Sequence, residues 1–111
     1  HPVMGSDYYE SAMDQMGKGY SYLVFGDDPK WVGDFCAYAR SQGYDAIDWS
    51  ALGEEQALAA MASCSGGIIS NSTFGWWGAR LSGSTDVIRP LRWFADGKSA
   101  DDICDPRWKA L

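Results

Sequence analysis

Apolar side chains recur at two spacings along this chain, and the two alternate. Residues 6 to 17 carry Tyr9, Ala12, Met13 and Met16 at helical intervals, opened by Ser6 or Asp7 and closed by Gly17-Lys18-Gly19. The run Tyr-Ser-Tyr-Leu-Val-Phe, 20 to 25, is rich in aromatic and branched residues and predicts a strand. A second helix follows, with Asp27 or Asp28 as its cap, Pro29 at its first position and Trp31, Val32, Phe35, Cys36 and Ala39 as its buried stripe, ended by Gly43. Residues 44 to 49 read as a weaker strand. Ser50 is placed to cap a third helix that turns Leu58, Met61 and Ala62 inward.

The second half repeats the pattern. Gly-Gly-Ile-Ile-Ser, 66 to 70, is a short, nearly continuous apolar run of the kind found where both faces of a strand are covered. Thr73 to Leu81 reads as a helix with Phe74, Trp77 and Leu81 on its inner side and Gly83 ending it. Residues 86 to 90 form a last strand, cut off by Pro90. The tail to Leu111 has little periodicity, and Trp93, Phe94 and Trp108 are expected to fold back onto the body. Alternating strands and helices predict an α/β domain over 1–111, a parallel sheet of about four strands with helices on both faces. Ligands in such sheets sit beyond the carboxyl ends of the strands.

Composition fits that picture. A hydrophobic fraction of 46% with 14% aromatic residues excludes a disordered chain. A net charge of −6 argues against nucleic acid, because strand or duplex binding needs a basic face. No run approaches the roughly 18 to 20 apolar residues of a membrane span. Cys36, Cys64 and Cys104 are widely separated and form no CxxC pair, so neither a zinc signature nor a dense disulfide framework is present. Free thiols on apolar helix faces point to a reducing, cytoplasmic setting. The charge is uneven: residues 1–55 hold ten acids and three bases, residues 56–111 five acids and six bases. An anion is better received by the second half.

Two loops at strand ends carry candidate chemistry. Asn71, Ser72 and Thr73 lead into the fourth helix, whose free N–H groups and positive dipole end, with the two hydroxyls, would seat a phosphate or diphosphate. The same residues read equally as an ordinary N-cap at Ser72, with the tryptophans as core and Gly75 and Gly78 relieving crowding. Asp27 and Asp28 could accept from a base edge or a ribose hydroxyl, or simply cap the second helix. They could hold a divalent ion only with further oxygen ligands. Glu54 and Glu55 fit a helix start. His1 is the single histidine, and neither a GxGxxG nor a P-loop sequence occurs. A receiver-like phosphoacceptor is disfavoured, since residues 66–70 lack the required acid and residues 86–90 a lysine.

The segment Ile-Ser-Asn-Ser-Thr-Phe-Gly-Trp-Trp-Gly-Ala-Arg-Leu, 69 to 81, resembles the signature of the α-1,2-fucosyltransferase family, glycosyltransferase family 11. Other pieces follow in the family's order. Residues 8 to 16 resemble its Asp-Tyr-Tyr helix, and residues 22 to 32 are similar to its Phe-Ser-Asp-Asp-x-x-Trp segment, with Gly26 where serine is usual. Residues 60 to 73 resemble its Leu-Met-Ser-x-Cys lead-in, and Pro90 to Phe94 its Pro-x-x-Trp-Phe ending.

That resemblance implies a GT-B arrangement of two Rossmann-like halves, with this chain as the C-terminal one, the family's N-terminal half absent. It implies GDP-fucose as donor, with Asn71, Ser72, Thr73 and Phe74 at the diphosphate end and Asp27 and Asp28 near the nucleoside or sugar. It further implies inverting transfer to a glycan acceptor without a metal ion or other cofactor. The family's His-x-Arg-Arg-Gly-Asp motif has no counterpart here, so little activity is expected from the chain alone, and no catalytic residue is assigned. An N-terminal partner domain or self-association would complete the cleft. The other reading is a stand-alone, non-catalytic nucleotide-binding or interaction module.

Overall fold

A computed structural model of the chain describes residues 5–70, 72–91, 100 and 102–111, with the backbone alone at Thr73. Helix α1, Ser6–Met16, begins after Gly5, whose extended backbone forms the cap, so neither Ser6 nor Asp7 caps it as the sequence predicts. Asp7 instead lies in the first turn, where its charge favours the dipole. Strand β1, Ser21–Val24, pairs in parallel with β2, Asp45–Asp48, from Ser21 opposite Asp45 to Val24 opposite Asp48. Helix α2, Pro29–Ser41, connects them and buries Val32, Phe35, Cys36 and Ala39, as its spacing predicts. Trp31 is the exception: it is 38% exposed, with its ring stacked flat on Phe35 at 5.1 Å.

Helix α3, Glu54–Ala62, starts four residues later than Ser50, at a Gly53 cap. Ser50 is engaged elsewhere, donating its hydroxyl and N–H to the Asp48 carboxylate at 2.6 and 2.9 Å. Glu54 and Glu55 occupy the first turn, as read. Strand β3, Gly67–Ile68, helix α4, Thr73–Ser82, and strand β4, Val87–Arg89, follow. The aperiodic tail supplies an unpredicted parallel partner for β4, strand β5, Lys109–Ala110. Two residues are too few to show a period. Trp93 and Phe94 lie outside the described residues, whereas Trp108 is buried as expected.

The chain is thus α/β with parallel pairing throughout, but its ladders form two sheets, β1-β2 and β3-β4-β5, rather than one sheet of four strands. Among the described residues, no strand ladder joins β1 to β3. Side chains join the sheets instead. Tyr20 donates to the Asp86 carboxylate at 2.9 Å across the strand beginnings. Ile68 packs against the core of Met13, Val32, Phe35, Cys36, Ala39, Tyr44 and Ala46, while Ile69 belongs to a second core with Ala79, Val87, Ala100, Cys104 and Trp108. Adjacent residues of an extended chain point to opposite faces, so this segment is covered on both sides.

Helix α4 departs most from expectation. Phe74, Trp77 and Leu81, read as its inner face, are 36%, 50% and 55% exposed. The buried side is Gly75, Gly78 and Ala79, with Trp76 half-buried beside them. A Cβ at Gly78 would lie 2.5 Å from Met61 Cε and 3.0 Å from Met61 Cβ. Helices α3 and α4 therefore touch almost backbone to side chain, and a larger residue would have to displace Met61. Gly83 ends the helix in the left-handed conformation at φ 68°, as predicted.

Candidate functional site

The carboxyl ends of β1 and β3 carry the two candidate loops. After β1, the chain passes close under α2: a Cβ at Gly26 would stand 2.8 Å from Val32 Cγ2. This contact explains a glycine where the resembling family has serine. Asp27 is exposed, and Asp28 caps α2, its carboxylate accepting from the Trp31 N–H at 3.3 Å. After β3, Ser72 takes an extended conformation and caps α4, its hydroxyl oxygen accepting from the Gly75 N–H at 3.1 Å. The Ser72 carbonyl accepts from Trp76 N–H at 3.1 Å. The cap and its first helical bond leave the Phe74 N–H, at the helix start, without an acceptor among the described residues. Asn71 lies outside the described residues, and Thr73 contributes its backbone to the first turn.

Tyr8 and Tyr9, which sequence reasoning did not assign to the site, join the two loops. The Tyr9 ring meets Trp31 edge-on at 5.5 Å and Phe35 at 5.9 Å, on the first turns of α2. Burial raises the Tyr9 pKa, and the Ser70 side chain beside it partly offsets that rise. Ser70 in turn lies 3.3 Å from the Ser72 hydroxyl. One tyrosine therefore spans from the helix capped by Asp28 to the serine two places before the α4 cap. Asp27, Asp28 and Ser72 accordingly belong to the same end of the molecule.

Tyr8 acts from the neighbouring position. Its hydroxyl donates to the Ile69 carbonyl at 2.5 Å and approaches the Ile88 carbonyl at 3.2 Å. Ile69 N–H already bonds Ile88 carbonyl at 3.0 Å, so the next donor to the Ile69 carbonyl in a parallel ladder would be residue 90. That residue is Pro90, which has no N–H. The phenol fills the vacancy. Burial drives the Tyr8 pKa far upward, keeping the donor protonated, with the buried Arg89 guanidinium acting weakly in the opposite sense. The detectable sequence signal was the adjacent tyrosine pair on a helix with one member in the apolar stripe.

A hollow of about 550 Å³ opens farther along α4, lined by Trp76, Arg80, Ile103, Asp102, Asp105 and Arg107 among others. The Trp76 indole N–H donates to the Ile103 carbonyl at 2.8 Å, and the Arg80 guanidinium stands 5.6 Å from the Trp76 ring centre. Asp105 accepts from Arg107 Nε at 3.1 Å and Nη2 at 2.9 Å, which holds its pKa down at about 2. Residues 102–107 have no apolar period, so the sequence pattern does not mark this region. Among the described residues, no group of three or more His, Cys, Asp or Glu side chains is placed to hold a metal ion. Among them, too, no helix is long and apolar enough to cross a membrane.

These features define an α/β protein with its polar, capped loops gathered at one end of parallel strands. The particular family follows from comparison with known proteins. The model of glycosyl transferase family 11 matches residues 1–111, and the chain belongs to that family. The O-antigen biosynthesis glycosyltransferase WbnK of Escherichia coli is similar to it, 35% identical over 119 residues, covering 97% of this chain and 37% of that protein. The chain thus spans little more than a third of that relative's length. No solved structure gives a significant match.

Proposed function

We propose that this chain is the C-terminal, Rossmann-like, GDP-fucose-binding half of a fucosyltransferase-like inverting glycosyltransferase. The observation that carries the reading is the convergence of the Asp28-capped and Ser72-capped helix starts on one end, bridged by Tyr9 and Ser70. Amide N–H groups at the start of α4 and the Ser72 hydroxyl would receive the diphosphate, with Asn71, Thr73 and Phe74 around it. Asp27 and Asp28 would lie toward the nucleoside or sugar. Family membership supports a sugar nucleotide as donor and a glycan as acceptor.

In the reaction so inferred, an acceptor hydroxyl oxygen attacks the anomeric carbon as the carbon–oxygen bond to the diphosphate breaks. GDP leaves with the electron pair, and the hydroxyl proton passes to a base. The departing diphosphate needs concentrated positive charge in a water-excluded cleft. The family's paired arginines have no counterpart in this sequence, so the half is inactive alone; by its likeness to the family, no metal ion or other cofactor would be needed for transfer. The exposed stripe of Phe74, Trp77 and Leu81 favours a second reading, an interaction module whose apolar face the rest of such a protein would cover.

Calorimetry with GDP tests the first reading. Ser72→Ala removes both the cap and a ligand hydroxyl. Ser72→Asp keeps a good N-cap but sets a carboxylate against the diphosphate. Wild type should bind GDP, and Ser72→Asp should lose at least about tenfold in affinity while remaining folded. Undiminished GDP binding by Ser72→Asp, or none by wild type, would remove the first reading and leave the second.

A further inference from the structure

The hollow beside α4 has a chemistry unlike that of an anion seat. Its described charges balance, with Arg80 and Arg107 against Asp102 and Asp105, so a diphosphate would gain no net Coulombic attraction there. Its polar groups instead alternate donors and acceptors. The Arg80 guanidinium makes no hydrogen bond among the described residues and rests over Trp76, leaving its N–H groups for a ligand. The Asp105 carboxylate is fixed by Arg107 Nε and Nη2 and by the Arg107 backbone N–H at 2.9 Å. Trp76 is locked in orientation by its bond to Ile103. An aromatic wall beside one preset carboxylate, a second carboxylate and a guanidinium group suits a molecule that carries apolar C–H faces and hydroxyls that both donate and accept. At about 550 Å³ the hollow falls within the usual range for small-molecule sites.

We propose that the Trp76–Arg80–Asp102–Asp105 hollow binds a neutral saccharide ring, separately from any nucleotide at the helix start. Trp76 lies four residues beyond the Ser72 cap, roughly 6 Å along the axis of α4. Arg80 lies a further turn along, so a sugar in the hollow would sit one to two turns from the helix start, toward the amino end of β5. Saccharide binding there does not rest on the function proposed above.

The test is an NMR titration of the full chain that follows the Trp76 indole N–H signal, assigned through Trp76→Phe. Galactose and lactose serve as neutral one-ring and two-ring probes, GDP and inorganic phosphate as anions. Either sugar should move the Trp76 indole signal, lactose more strongly if a glycan end rather than one ring is held. Arg80→Ala and Asp102→Asn should each weaken that response about tenfold, as expected for a lost charged hydrogen bond. GDP should act on the Phe74 and Gly75 amides, unaffected by Asp102→Asn. A Trp76 response to phosphate but not to either sugar would overturn the proposal, as would sugar effects confined to other residues. Failure with the sugars while GDP binds leaves the nucleotide reading standing; the reverse result removes that reading and keeps the hollow.

Discussion

The two halves of this molecule are held together by opposite means. The half built on β1 and β2 is an aromatic assembly: Tyr9 meets Trp31 and Phe35, Trp31 stacks on Phe35, and Tyr22 meets Tyr44 edge-on at 5.7 Å. Its phenols also bond to the first helix, Tyr22 closing its open end by donating to the Gly17 carbonyl at 2.5 Å and Tyr44 donating to the Asp14 carboxylate. The half built on β3 to β5 instead packs a helix through glycine and alanine and leaves its large residues outside. Large buried groups tolerate adjustment at their rims, whereas a glycine contact admits nothing larger.

Gly78→Val should therefore be the most damaging change to the second half. Its side chain would enter the space of Met61 Cβ and Cε, and overpacking of this kind costs roughly 1 to 3 kcal/mol. Urea unfolding would measure the loss, and adding Met61→Ala should recover part of it by emptying the contested volume. If Gly78→Val is neutral, or if Met61→Ala adds to its cost in full, the helices do not touch there and the contrast between halves fails.

The same contrast explains what the sequence made legible. Helix α2 was readable because its buried stripe consists of large apolar residues at helical spacing. Helix α4 is not legible in this way: its bulky residues also recur at helical spacing, but the side that packs on Met61 is Gly78. Strand β5 and the hollow's far wall come from a tail with no period. The split between sheets was hidden because strand patterns reveal which faces are covered, not which strands lie side by side. At the candidate site, the caps at Asp28 and Ser72 were readable from residue type. The bridging role of Tyr9 was not, since it joins residues 61 positions apart, Tyr9 to Ser70.

Alkali should separate the halves next. The Tyr44 pKa is pushed up to about 12, first by its hydrogen bond to Asp14, and burial raises that of Tyr22. An ordinary phenol titrates near pH 10, so the folded chain holds these protons more tightly than the unfolded one. The Tyr44 contribution is complete below about pH 10 and is lost as pH rises through about 12. The second half carries the reverse device: Asp105, held at about 2 by Arg107, contributes above the usual carboxylate range near 4 and loses it as pH falls toward 2. Urea midpoints taken from about pH 8 to 11 should decline, and Tyr44→Phe should flatten the decline. An alkaline profile that is level in wild type would show that the phenols do not secure the first half.

The smallest effect is expected at Trp77, and its smallness is informative. Truncating a buried tryptophan costs roughly 3 to 5 kcal/mol, whereas an exposed substitution stays within about 0.5 kcal/mol. Trp77 is 50% exposed and touches Trp76 edge-on at 4.9 Å, so Trp77→Gln should fall near the lower figure in urea unfolding. Trp76→Gln, by contrast, loses the bond to Ile103 and a side of the second core, and should cost distinctly more. Two adjacent tryptophans in one signature would then have separable duties, the first anchoring the tail and the second presenting a surface. Equal costs for the two variants would mean that α4 is turned about its axis from the orientation described, with Phe74, Trp77 and Leu81 packed inward after all.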